Sequence, residues 1–237
     1  MKLRLPTPLH GWRAFFGEVG VVVLGILIAL GVDQAAKAVG NARDAAEARQ
    51  NIRAEVVANI TRVQQRGHAQ GCVDRRLDEL QALLDDAAAD GRIPRPNWIG
   101  RPTRYGIESE RWNVAVQSGR SSYFEPEEQA QYGMLYNTLI YFYEMQNSEQ
   151  LVWARLSALD GFDRLSEDSR VAMRAALGEA RFYNGSIRQI TPNLLDRARQ
   201  LGMTPTRRVD EAPTICWPIH LPTEEARARL EAAGGSL

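Results

Sequence analysis

The longest apolar stretch of the chain lies near its N-terminus, from Phe15 to Val32, and Glu18 is the only ionisable residue within it. At about 1.5 Å per residue, a helix from Ala14 to Val32 is as long as the hydrocarbon core of a bilayer is thick. A chain that crosses this core must satisfy its backbone hydrogen bonds internally, as a helix does. The pattern predicts one transmembrane helix at residues 14–39, after a lead of residues 1–13.

Three residues of this segment are candidates for contacts with another helix in the bilayer. Gly25 and Ala29 form a small-xxx-small pair, which lets a second helix approach closely. Glu18 lies about one turn inside the segment, where its carboxylate either reaches the headgroups or contacts a basic or hydrogen-bonding residue of a partner. We expect the partner to be another membrane protein or a second copy of this chain.

Two alternatives account for the same apolar stretch. A cleaved secretory signal needs a basic start and a small-x-small site, and Lys2, Arg4 and Arg13, followed by residues 36–38, supply them. A core helix of a soluble protein is the second alternative, but the stretch is too uniformly apolar for a helix with one exposed side. We favour an uncleaved membrane helix because helix-forming residues continue beyond the apolar run without a break.

The order of residues in this segment is also distinctive. Gly17 and Glu18 precede a VVVLGILIAL run at residues 21–30, and this string resembles the N-terminal signature of the DUF6090-like family of uncharacterised bacterial single-pass membrane proteins. The resemblance extends more loosely to Glu55 and Asn59, and then to Trp112, Ala115, Ser118, Gly119, Pro126, Glu128 and Tyr136. It implies a single membrane span, and it implies no activity, cofactor or partner.

Beyond the apolar segment the apolar positions follow a helical period almost everywhere. An apolar stripe with steps of three and four residues, or multiples of them, predicts a helical stalk at 40–66. The stripe begins at the end of the membrane segment and consists of Val39, Ala42, Ala46, Ile52, Val56, Ile60 and Val63. Residues 67–237 are predicted to form an all-α domain, a helical bundle with the aromatic helix that starts at Pro126 at its centre. Thr191 and Pro192 are a candidate point for the helix to restart, and only 214–221 is strand-like.

The amino-acid composition argues against several kinds of binding site. The 29 basic and 29 acidic residues cancel, which argues against a surface that binds nucleic acid. Two cysteines are too few for a zinc motif, and the three histidines lie in separate contexts. We therefore expect no catalytic residues, no metal and no cofactor. Cys72 and Cys216 either form a disulfide, which we favour for an oxidising compartment, or are two separate buried thiols.

The loop at 92–106 carries the remaining candidate site. Trp98, Tyr105 and Trp112 are flanked by arginines, at positions 101, 104 and 111, so that an aromatic and basic pocket is one interpretation. The other is that the rings anchor the loop on the core, with arginine side chains packed over them.

These features predict a single-pass protein of the bacterial inner membrane. The lead at 1–13 is expected in the cytoplasm and the helical domain in the periplasm, although basic residues are equally numerous on both sides of the segment. The preferred function is a structural or interaction protein, an accessory subunit or scaffold of an inner-membrane assembly. The alternative is a membrane-tethered periplasmic sensor or small-molecule-binding domain that uses the aromatic pocket.

Overall fold

The computed structural model describes residues 11–87, 90–206 and 213–232, and in these ranges it contains six α-helices and no strand. Three short 3-10 turns, Arg120–Tyr123, Ser157–Leu159 and Thr214–Cys216, join them. The predicted all-α fold is confirmed, as is a long apolar helix at the N-terminus. The helices are α1 (Gly11–His68), α2 (Gln70–Asp85), α3 (Glu110–Gln117), α4 (Pro126–Leu156), α5 (Glu167–Gln200) and α6 (Thr223–Ala232).

Helix α1 changes its surroundings along its length. Its 58 residues include no proline, so that it continues for about 87 Å without a break. The apolar side chains between Phe15 and Val32 are exposed to the surroundings of the chain. Among the described residues this is the one helix long and apolar enough to cross a membrane, which suits a membrane anchor or a signal sequence.

The helical domain begins about twenty residues earlier than predicted. The stalk expected at 40–66 is exposed only up to Asp44, because from Ala45 onward α1 packs into the core. The buried stripe continues backward from Ile52 to Ala48 and Ala45, whereas the predicted positions Ala42 and Ala46 are exposed. We call the described residues from 45 to 232 the head.

The head is a bundle in which α1, α4 and α5 lie side by side. Arg49 of α1 pairs with Glu128 near the start of α4, and Arg66 pairs with Glu149 near its end, so these helices run in the same direction. Tyr132, Leu135, Tyr136, Leu139 and Phe142 of α4 are buried against α1 and α5. The aromatic helix therefore lies in the core, as the sequence predicts.

Helix α5 returns in the opposite direction and reaches past the end of α1. Asn184, in the middle of α5, lies against Arg66 near the end of α1. Leu201, the residue after α5, accepts a hydrogen bond at its carbonyl oxygen from Arg53, which is more than three turns earlier on α1. The predicted restart at Thr191 and Pro192 is wrong, since α5 is continuous there.

Helix α2 extends the direction of α1 and packs against the first half of α5. Ion pairs between Asp78 and Arg181 and between Asp85 and Arg174 join the two helices. The disulfide between Cys72 and Cys216, with Cα atoms 4.9 Å apart, fixes the C-terminal part of the chain to α2. The strand-like stretch at 214–221 begins with a 3-10 turn instead of a strand.

Candidate functional site

The three predicted membrane contacts lie on one face of α1. Gly25 and Ala29 follow Glu18 by 7 and 11 residues, which are near-complete numbers of helical turns. All three residues are exposed, and no other described part of the chain lies within 4 Å of the position that a Cβ would take at Gly25. This face is therefore available to a second helix.

Among the three residues of the predicted aromatic pocket, the rings of Trp98 and Trp112 pack against different partners. The ring of Trp98 packs against Trp217, with centroids 5.2 Å apart. The ring of Trp112 stacks on Tyr136 at 5.6 Å. The backbone N–H of Tyr105 donates to the side-chain oxygen of Gln146 at 2.9 Å. The alternative interpretation, that these residues anchor the loop on the core, agrees with the structure.

Two polar residues of α1 hold the backbone that leads into α3. Asn59 donates to the carbonyl oxygen of Glu108 at 2.7 Å and accepts from its N–H at 3.0 Å. One turn earlier, Glu55 accepts from the N–H of Arg111 at 2.9 Å and from the hydroxyl of Tyr136 at 2.5 Å. Burial, and then the bond to Glu55, raises the pKa of the Tyr136 phenol. We call this group the α1–α3 clasp.

Residues beyond the apolar segment to which the predicted resemblance extends lie in or near this clasp. Trp112 covers Tyr136, and Arg49 lies over the ring of Phe124 while its guanidinium pairs with Glu128 at 2.9 Å. Gly119 has φ +73°, a backbone conformation that favours glycine and that turns the chain from α3 into the next 3-10 turn. Because these side chains bond to one another, the structure supports a role in packing for them.

A buried ion pair joins α1 to α4. The side chains of Arg66 and Glu149 are 0% and 1% exposed, and their nearest atoms are 2.7 Å apart. Burial raises the pKa of Glu149, although Arg66 opposes that change. Asn184 of α5 also accepts from Arg66, at 3.4 Å, and from Gln70 at 2.8 Å. The pair therefore fixes how all three long helices of the bundle meet.

The sequence contains a signal for this pair that our prediction missed. Arg66 follows Val63 by three residues, and thus continues the apolar stripe of α1. Glu149 follows Phe142 by seven residues and precedes Trp153 by four, on the buried face of α4. An arginine and a glutamate at positions that the helical period marks as core indicate a buried pair.

A groove of about 630 Å³ lies where the loop before α3 crosses α4. Its polar contacts fix the loop: the side-chain amide of Gln150 donates to the carbonyl oxygen of Pro102 at 2.7 Å. The groove is lined by Arg101, Pro102, Thr103, Arg104, Asn147, Gln150, Leu151 and Thr214. No aspartate or glutamate is among these lining residues, so the described lining carries the charge of two guanidinium groups.

Metal ligands are not grouped in the part of the chain that the structure describes. No three or more histidine, cysteine, aspartate or glutamate side chains are placed there to hold one ion.

No family model, no curated protein and no solved structure matches this chain.

Proposed function

We propose that this chain is a membrane-anchored structural or interaction protein, an accessory subunit or scaffold of a bacterial inner-membrane assembly. The observation that carries the proposal is the continuity of α1, which contains both the exposed apolar segment and one wall of the core of the head. Because one continuous helix belongs to both regions, the position of one region determines the position of the other. The head is thus held at a fixed height and angle relative to its anchor.

The face with Glu18, Gly25 and Ala29 is the proposed contact with the partner. Small residues at two of these positions allow close approach of a second helix, and a carboxylate within a bilayer favours a basic or hydrogen-bonding partner. The partner is another membrane protein or a second copy of this chain. The resemblance of residues 17–30 to DUF6090-like proteins supports the single-span architecture.

We further propose that the head lies in the periplasm and the lead at 1–13 in the cytoplasm. The disulfide between Cys72 and Cys216 supports this orientation, because disulfides persist in oxidising compartments and are rare in the cytosol. Residues 1–10 of the lead lie outside the described residues. The test is a C-terminal fusion to a reporter that is active only in the cytoplasm. Activity of that fusion contradicts the proposed orientation.

Purification in a mild detergent tests the proposed partner contact. We expect the full chain to leave the membrane in a complex, and Glu18→Leu or Gly25→Leu to release the partner. Gly20→Leu is the matched control. It makes the same glycine-to-leucine change in the same segment, but Gly20 lies on the opposite face of α1, away from the proposed contact.

Two results contradict this proposal. One is a monomer released alone under conditions that preserve known membrane complexes. The other is a complex that Gly20→Leu weakens as much as Gly25→Leu does, since the contact then does not depend on that face. The alternative of a sensor built on Trp98, Tyr105 and Trp112 is not proposed, because the rings of Trp98 and Trp112 pack against different residues.

A further inference from the structure

We propose that the groove between the loop before α3 and helix α4 binds a small soluble organic anion through Arg101 and Arg104. The ligand group is a carboxylate or a phosphate, since a guanidinium presents paired N–H donors whose spacing matches both. This inference goes beyond the proposed interaction function, and only its exclusion of a lipid headgroup rests on the membrane anchor proposed there.

Arg104 is already held in position for such a ligand. Its guanidinium lies 5.5 Å from the centre of the Tyr143 ring and donates to the Tyr143 hydroxyl at 2.9 Å and to the side-chain oxygen of Asn147 at 3.0 Å. Both acceptors are neutral, so that they orient the side chain without neutralising its charge. An oriented side chain loses little further freedom when a ligand binds.

Arg101 adds a second charge that no acid of the described chain balances. Its side chain is exposed and makes no ion pair with the residues that the structure describes. Arginines on the neighbouring helices are paired instead, as Arg155 is with Glu179 and Arg181 with Asp78. Two arginines in one concave surface whose described lining contains no acid attract an anion more strongly than scattered surface charges do.

The size and the walls of the groove favour a small molecule. A volume of about 630 Å³ lies within the range typical of small-molecule sites. Leu151, which is 72% exposed, supplies apolar surface, and Asn147 and Thr103 supply hydrogen-bonding groups beside the arginines. This combination suits an organic anion with a short carbon skeleton.

The distance from the membrane excludes a lipid headgroup as the source of the anion. Asn147 and Gln150 flank Glu149, which pairs with Arg66 of α1. The 34 helical residues from Asp33 to Arg66 separate that level from the apolar segment by about 50 Å. The ligand therefore comes from solution.

The test uses the full chain in detergent micelles and isothermal titration calorimetry with citrate and inorganic phosphate as probes. We expect at least one probe to bind with a Kd below about 10 mM. Arg101→Gln and Arg104→Gln should each raise that Kd about tenfold. Leu151→Glu, which places an acid in the groove at an exposed position, should weaken binding similarly. Arg43→Gln is the matched control, because Arg43 is an exposed arginine of α1 outside the groove.

The two probes separate the two ligand groups. Binding of citrate alone assigns the groove to carboxylates, and binding of phosphate alone assigns it to phosphate groups. The proposal is overturned if neither probe binds, or if Arg101→Gln, Arg104→Gln and Leu151→Glu bind as the unaltered chain does. A partner that still co-purifies with the Arg101→Gln chain leaves the interaction function intact, so the two proposals fail separately.

Discussion

Two regions of the same helix, residues 15–32 and residues 45–66 of α1, use apolar side chains in opposite ways. In the first region, apolar residues lie on every side of the helix and are exposed, as Leu27 is at 60%. In the second, they form one stripe that is buried to the last atom at Ile52, Val56 and Ile60. The distribution of apolar residues around a helix, more than their number, therefore indicates what surrounds it.

Ion pairs sharpen the contrast between these regions of α1. Between them, Lys37 and Asp33 form an i, i+4 pair whose side chains are 71% and 57% exposed. At the end of the second region, Arg66 and Glu149 form a pair that is almost fully buried. Exposed pairs contribute little to stability, whereas removing one partner of a buried pair leaves a charge without compensation.

The largest expected effect comes from breaking the buried pair. Arg66→Met should lower the free energy of unfolding by about 3–5 kcal/mol, because Glu149 is then buried without its partner. Chemical denaturation of the full chain in micelles, followed by circular dichroism, measures it. The loss of unfolding free energy caused by Arg66→Met should grow as the pH rises above the ordinary carboxyl range. The reason is that the unpaired Glu149 binds a proton more readily in the folded chain than in the unfolded one.

Two further variants test that explanation. Adding Glu149→Met to Arg66→Met should restore part of the lost stability, because no buried charge remains. Lys37→Met in the exposed pair should change stability by less than about 0.5 kcal/mol. If Lys37→Met and Arg66→Met have equal effects, burial does not distinguish the two pairs.

The next effect compares one residue type in the two regions. Ile60→Ala should cost about 2–4 kcal/mol, through lost apolar burial and the cavity left behind. Ile26→Ala removes the same atoms from a side chain that is 54% exposed and touches no part of the head, so that thermal unfolding of the head should not change. Equal losses from the two variants would mean that the anchor and the head unfold as one unit.

The smallest effect concerns the clasp. Tyr136→Phe should cost about 1–2 kcal/mol near neutral pH, because one oxygen of the buried Glu55 loses its hydrogen bond. The folded state holds the Tyr136 phenol neutral, so the unaltered chain should lose stability as the pH rises above the ordinary tyrosine range of about 10, and the variant should lose less. Tyr141→Phe, at an exposed position of α4, should show neither change.

The helices could be predicted from the sequence because their evidence is local. The period of Ile52, Val56 and Ile60 marks one face whatever packs against it, and Ser166 begins α5 by accepting from the N–H of Ser169, as expected of an N-cap. The stalk was misplaced because Ala42 and Ala46 fit the helical steps as well as Ala45 and Ala48 do. Small side chains leave the orientation of a stripe undetermined until the neighbouring helices are known.

The candidate sites were less predictable because they depend on contacts between distant residues. The sequence places aromatic rings and arginines in one loop and just after it, but Trp98 of the loop packs against Trp217, and Trp112 of α3 packs against Tyr136. The groove between this loop and α4 is lined by Arg101 and Arg104 instead. Nothing local shows which of two alternating residue types in a loop will face the helix beneath it.

The disulfide has a consequence for how the chain withstands proteases. Cys72 and Cys216 are separated by 144 positions, and the loop before α3 and the turn between α4 and α5 both lie between them. A peptide bond cut at either place leaves two fragments that stay joined through sulfur. The nicked protein therefore still migrates as one species until a reductant is added, and until then the fragment that carries the apolar segment stays linked to the other.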